Sequence, residues 1–164
     1  DTYLAIVEGY ARHYGLAAGS SILDVGCGKG YLLHAFTQVI PKAVVAGIDV
    51  SEYAISHSKE EVRSFLRVGN AIELPHADHS FDLVVSINTL HNLYNYELRR
   101  ALQEIERVAR AHTYIAVDAY RTEQEKLNLL NWQLTCEAFY TPAEWEWFLK
   151  ESGYTGDYDF VFYE

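Results

Sequence analysis

The chain has 164 residues, 49% of them hydrophobic and 22% charged, and a formal net charge of −10. That size and balance fit one globular domain with a real core, and no apolar run approaches the ~20 residues a membrane span needs. A grip on nucleic-acid phosphates needs a basic face, and the only Lys/Arg cluster is the pair Arg99 and Arg100, so nucleic acid is not the expected partner.

Leu4, Val7, Ala11 and Tyr14 recur at helical spacing, with Gly15 as the stop. There is no methionine, even at position 1, and residues 1–15 open directly in this helical pattern, which reads as a truncated start. SILDV (21–25) is a short buried strand, followed by glycines at 26, 28 and 30. Leu32, Leu33, Phe36, Val39 and Ile40 give one helix face, which Pro41 ends. AVVAGIDV (43–50) is a second strand, and a helix from Ser51 to Arg63 follows with Ser51 as N-cap. FLRVGN (65–70) and FDLVVSIN (81–88) are the third and fourth strands. Leu98, Ala101, Leu102, Ile105, Val108 and Ala109 mark an amphipathic helix, and TYIAVDAY (113–120) is the fifth strand.

After residue 120 the pattern changes. Thr122 and Glu125 spell a capping box, and WQLTCEA (132–138) alternates like a half-exposed strand. Thr141, Pro142 and Glu144 start a helix that stops at Gly153, and DYDFVFYE closes the chain as a strand expected to be antiparallel. The expected fold is α/β and doubly wound: a mostly parallel sheet of six to seven strands with helices on both faces and an antiparallel C-terminal strand. The chain reads as a single domain, with residues 20–120 as its ligand-binding core and 121–164 shaping a second-substrate side.

In such folds a ligand lies beyond the carboxyl ends of the strands, where strand order reverses. The glycine turn, Asp49, Asn70 and Ser86 to Asn88 all fall at those ends. A dinucleotide turn reads G-x-G-x-x-G, whereas Asp24 to Gly30 reads D-x-G-x-G-x-G, one residue tighter. That segment, with VVAGIDVSEYAIS, VGNAIELPHADHSFDLVVSINTLHNL and ALQEIERVAR in order, resembles the Rossmann-like class I S-adenosylmethionine-dependent methyltransferases over roughly residues 20–120.

The resemblance implies S-adenosylmethionine as cofactor. Gly26, Cys27, Gly28 and Gly30 would form the turn against its methionine part, and Asp24 would hold the ammonium group. Asp49 would accept from both ribose hydroxyls. Val50 would pack on the adenine, with Asn70 and Ala71 at its edge and the Asn88 backbone near the methionine end. Relatives usually place Pro-Gly-Gly where this chain has RAHTY, and the C-terminal third matches poorly, so the acceptor is not carried over. The implied activity is methyl transfer; the acidic charge and abundant tyrosine and tryptophan favour O- or N-methylation of a small molecule, a sugar or other polar metabolite, and the two distant cysteines point to a reducing cytoplasm. The alternatives are a cofactor-binding module without activity and a nicotinamide-dependent oxidoreductase.

His91, Asp118 and Tyr120 are the candidates for catalysis, at the rim beyond the fourth and fifth strands; an imidazole suits proton removal near pH 7. Tyr94 stands beside His91, and Tyr3, Tyr10 or Tyr14 would close the top. The plainer readings weigh against several features. Cys27 is a small filler between glycines and Cys136 a core residue; two cysteines so far apart make no disulfide framework. HADH (76–79) is a solvated loop rather than a ligand run, so no metal is expected. Trp145 and Trp147 serve packing on a charged helix.

Overall fold

The computed structural model describes residues 2–164. The Val/Ile-rich runs become β1 (Ser21–Val25), β2 (Val44–Asp49), β3 (Leu66–Val68), β4 (Phe81–Ile87), β5 (Ala109–Asp118) and β6 (Asp157–Val161). The helices are α1 (Thr2–Tyr14), α2 (Tyr31–Val39), α3 (Glu52–Ser56), α4 (Asn95–Val108), α5 (Glu123–Trp132) and α6 (Pro142–Glu151). One six-stranded sheet has the order β3-β2-β1-β4-β5-β6. Every pairing is parallel. The central strands β1 and β4 are buried almost throughout, as strands covered on both faces are, which is why their sequences show apolar runs rather than alternation.

One face packs against α1 and α2 through Val7, Ile22, Leu33, Phe36 and Val85. The other packs against α4 and α6 through Leu98, Leu102, Ile105, Trp145 and Leu149. Each such side chain contributes about 1.5–3 kcal/mol by leaving water. Among the described residues, no helix is long and apolar enough to cross a membrane.

Three expectations are corrected. The last strand is parallel, with Tyr114 to Asp118 of β5 paired to Asp157 to Val161 in register. α6 carries the chain back across the sheet before β6 begins, and a helical crossover returns a strand in the same direction. Residues 132–138 form no strand: α5 runs on to Trp132 and the rest is irregular. Trp132 is 75% and Leu134 88% exposed, so the alternation marks no buried face. The third helix ends at Ser56 rather than Arg63. Its N-cap is as expected, Ser51 Oγ accepting from the Ala54 N–H at 3.0 Å. The Ser58 hydroxyl then donates to Ile55 O, and Lys59 N–H to Lys29 O at 2.8 Å, which pulls the chain out of the helix toward the glycine turn.

The two capping boxes differ. Thr141 and Glu144 form theirs reciprocally, with Pro142 in the first turn. Thr122 accepts from the Glu125 N–H, but the Glu125 carboxylate turns instead to the Arg121 N–H and guanidinium. Strand order reverses between β1 and β4, where the Ser86 hydroxyl donates to Val25 O at 2.7 Å. The crevice above that seam is where the fold places a ligand.

Candidate functional site

The turn after β1 is held by its neighbour: the Gly26 and Cys27 N–H groups both donate to Ile48 O, at 2.7 and 3.0 Å. Its three glycines answer to different constraints. Gly26, at φ 86°, lies against Thr89, whose side chain a Cβ would overlap. Gly30, at φ 78°, lets α2 pack, since a Cβ would come 2.9 Å from Val62 and 3.0 Å from Leu66. Gly28, at φ 54°, has nothing within 4 Å of where its Cβ would be. Packing therefore explains Gly30 and not Gly28, whose open side faces free space. Cys27 is buried and a Cβ on Gly47 would meet its sulfur at 2.8 Å, so it is the filler expected; burial raises its thiol pKa far above the usual range.

Two carboxylates end the adjacent strands β1 and β2. Asp49 Oδ2 accepts from Gly28 N–H at 2.8 Å and Oδ1 from Ser51 N–H at 2.9 Å. Asp24 is 4% exposed, and its buried Oδ1 has no hydrogen-bond partner. Burial first, and then the charge of Asp49, push the Asp24 carboxyl up to about 7. A buried acceptor without a donor is costly, and a bound cation would relieve it.

Clefts open on either side of Gly26. The wider, about 360 Å³, is lined by Asp24, Gly28, Tyr3, Tyr10, Tyr31 and Asn88 among others. The narrower, about 170 Å³, is lined by Asp49, Val50, Asn70, Ala71, Thr89 and Asn92 among others. The residues from separate strand ends therefore meet at one place. Val50 is 70% exposed and so free to cover a ligand. Asn70 Oδ1 accepts from Ile72 N–H at 3.1 Å and keeps a second lone pair. Asn88 sits at φ 55°, its N–H donating to Ala116 O. Thr89, absent from the sequence reading, lines the narrower cleft beside Gly26, its hydroxyl 3.2 Å from Ile87 O and 3.5 Å from Gly26 O. Only the folded chain brings it to Gly26.

The rim placement expected for His91, Asp118 and Tyr120 is corrected. His91 and Asp118 do meet, but both side chains are fully buried instead of standing at the rim, and neither lines a cleft. His91 Nδ1 accepts from Asp118 N–H at 3.3 Å, and its Nε2 lies 3.2 Å from Asp118 Oδ2. Burial lowers the imidazolium to about 4 and raises the carboxyl to about 6, the Tyr163 hydroxyl opposing the latter. Tyr120 also lies outside both clefts, with Lys126 Nζ 5.2 Å from its ring centre. Tyr94 is exposed and stacks on Tyr96 rather than forming a wall. Of the tyrosines of α1, Tyr3 and Tyr10 reach the wider cleft, while Tyr14 donates to Asp157 Oδ2 at 2.8 Å. The tryptophans divide: Trp145 is buried, its indole N–H on Asp118 O at 3.0 Å, and Trp147 is 64% exposed. Cys136 is buried, as expected.

The family model described as Methyltransferase domain matches residues 16–153. The tRNA (carboxymethyluridine(34)-5-O)-methyltransferase of Arabidopsis thaliana is 31% identical over 131 residues, 79% of this chain and 31% of the relative. The demethylmenaquinone methyltransferase of Staphylococcus aureus is 38% identical over 102 residues, 59% of this chain and 42% of the relative. This chain thus spans less than half the length of these curated relatives. A SAM-dependent methyltransferase structure from Aquifex aeolicus superposes with a TM-score of 0.65 at 25% identity, covering 90% of this chain and 78% of that one.

Proposed function

The chain belongs to the methyltransferase-domain family, of the class I S-adenosylmethionine-dependent type, and from that premise we propose that it transfers the cofactor's methyl group to an oxygen or nitrogen of a small-molecule acceptor. The observation that carries the reading is the buried, unpartnered Asp24 Oδ1 beside the open side of Gly28. It is a carboxyl oxygen without a donor, which a bound cation would hold ionised, next to backbone that a side chain would block. The residues present fit S-adenosylmethionine. Asp24 would take its ammonium group and Gly26 to Gly28 would lie along the methionine. Asp49 would exchange contacts with the turn for ribose hydroxyls, and Val50, Asn70 and Ala71 would border the adenine. When bound, the cofactor supplies a sulfonium methyl carbon already activated toward a nucleophile.

The protein's own part is orientation and exclusion of water. Tyr3, Ile6 and Tyr10 of α1 wall the wider cleft, with Tyr31 stacked on Tyr3 at 6.0 Å between ring centres. No histidine lines either cleft, and Asp24 is committed to the cofactor. This favours an acceptor that brings its own nucleophile, such as a readily ionised hydroxyl or a neutral amine. Aromatic walls suit a cyclic or planar acceptor, a sugar derivative among them.

A second reading follows from the Arabidopsis relative, named for methylation of tRNA. The formal charge of −10 opposes it, because a polyanion would meet net repulsion. Titration by calorimetry with S-adenosylmethionine and with a nicotinamide dinucleotide tests the cofactor. Binding of the first alone is expected, and binding of the second alone overturns the reading. Radiolabelled methyl transfer to a metabolite extract, against transfer to tRNA, separates the acceptors; binding without transfer to any acceptor class would leave a binding module.

A further inference from the structure

Residues 88–95, which follow β4, are shared between two parts of the molecule. On one side Asn88 lines the wider cleft, and Thr89, Asn92 and Leu93 line the narrower. The other side holds residues 135–140, which belong to no helix or strand. Glu137 and Ala138 donate their N–H groups to His91 O, at 2.8 and 2.9 Å. Thr135 Oγ1 donates to Asn92 Oδ1 at 3.0 Å, and the Tyr140 hydroxyl donates to Asn95 Oδ1. Four bonds from one irregular segment therefore land on three residues of that loop, His91, Asn92 and Asn95.

At the centre is the buried His91 ring. Asp118, at the end of β5, donates its N–H to the ring's Nδ1 at 3.3 Å, while Nε2 lies 3.2 Å from Asp118 Oδ2 without a hydrogen bond, and Trp145 of α6 bonds to Asp118 O. The ring thus fastens the loop to the sheet from within, where water cannot substitute for a lost partner.

We propose that His91 is a positioning residue that couples occupation of the cofactor clefts to the docking of residues 135–140. The proposal rests on the reading that those clefts take S-adenosylmethionine. A ligand against Asn88, Thr89, Asn92 and Leu93 restricts the loop. The segment has no backbone ladder of its own, so its order follows that of the loop it bonds to. Cofactor binding then prepares the C-terminal side before an acceptor arrives. Without the His91 ring, the loop still touches the ligand but is no longer braced against β5, and the restriction stops there.

The test is amide hydrogen exchange with and without saturating S-adenosylhomocysteine, its binding checked by calorimetry. In the native chain, residues 135–140 should exchange about tenfold more slowly in the bound form. His91→Asn, too short to reach Asp118 with both functions, should keep its ligand affinity within about threefold yet lose that difference. His91→Gln, whose side-chain amide spans the length of the ring, should recover part of it. A merely structural role would change the free protein's exchange and leave the ligand-induced difference in place. Equal protection in His91→Asn, or ligand binding with no change at 135–140 in the native chain, overturns the coupling while the cofactor reading stands. Failure of the native chain to bind S-adenosylhomocysteine overturns both.

Discussion

Asp24 and Asp49 stand at the ends of paired strands, but the folded chain treats them oppositely. Asp49 has two N–H donors, whereas Asp24 is buried with one oxygen unpartnered. The Asp24 carboxyl rises from 3.8 to about 7 on folding, so the folded state holds its proton more tightly than the unfolded chain does. Below about pH 4 the group is protonated in both states and costs nothing; stability then falls as pH rises through this window to about 7. Asp24→Asn should therefore raise the melting temperature at pH 8, by up to about 4 kcal/mol in stability, and by much less at pH 5. The same variant should lose most of its S-adenosylmethionine affinity, so thermal melts and calorimetry should move in opposite directions. A melting temperature unchanged at both pH values would show that Asp24 carries no strain. Gly28→Val tests the turn: its Cβ meets no protein atom, so the cost to the fold is about 1–2 kcal/mol for the left-handed backbone while binding is abolished. Undiminished calorimetric affinity would place the ligand elsewhere. The glycine spacing and both acids were readable from the sequence, because a tight turn at a strand end leaves a local mark. The reason for Gly26 was not, since Thr89 lies 63 positions away.

Helix α4 illustrates what an element does beyond its apolar face. Arg107, in its last turn, bonds to both oxygens of Glu104, to Asp78 Oδ1, and to the carbonyls of Leu74 and His76. Glu104 in turn accepts from Leu74 N–H at 2.8 Å. The polar loop before β4 is thus pinned to the helix rather than left solvated throughout. Arg107→Ala would leave the buried Glu104 carboxylate short of its cation, and stability should drop by roughly 1–3 kcal/mol. Urea unfolding at pH 7 measures this, and a midpoint within error of the native chain would show the network to be surface decoration. Strands rich in β-branched residues and the Thr141 cap were legible because their signals are local. The end of α3 was not, because competition from Ser58 and Lys59 depends on where Lys29 lies. Nor was the failure of 132–138 as a strand: its N–H groups find the His91 carbonyl, a partner no periodicity encodes.

At the scale of the whole molecule, the alternation of strands and helices was enough to place the crevice, since a parallel sheet with one reversal in strand order has one such seam. It did not reveal that His91 and Asp118 would turn inward, because a strand end can present a side chain to the rim or to the core. The ends of the fold are joined by Tyr14 of α1, whose hydroxyl donates to Asp157 of β6 at 2.8 Å across 143 positions of sequence. That bond fixes the helix that carries Tyr3 and Tyr10 over the wider cleft. Tyr14→Phe should cost about 1 kcal/mol of stability and, by loosening α1, speed cofactor dissociation severalfold. Stopped-flow dissociation measures it, and an unaltered rate would mean that α1 keeps its place without the bond. The acids at 157 and 159 bear on more than that helix. A sheet of six parallel strands has two bare borders, and β3 contributes only three residues to one of them. The other, β6, carries Asp157 and Asp159 at alternate positions. Two copies approaching border to border would set these carboxylates against one another. Charge along a border opposes the strand-to-strand pairing through which open sheets grow into aggregates.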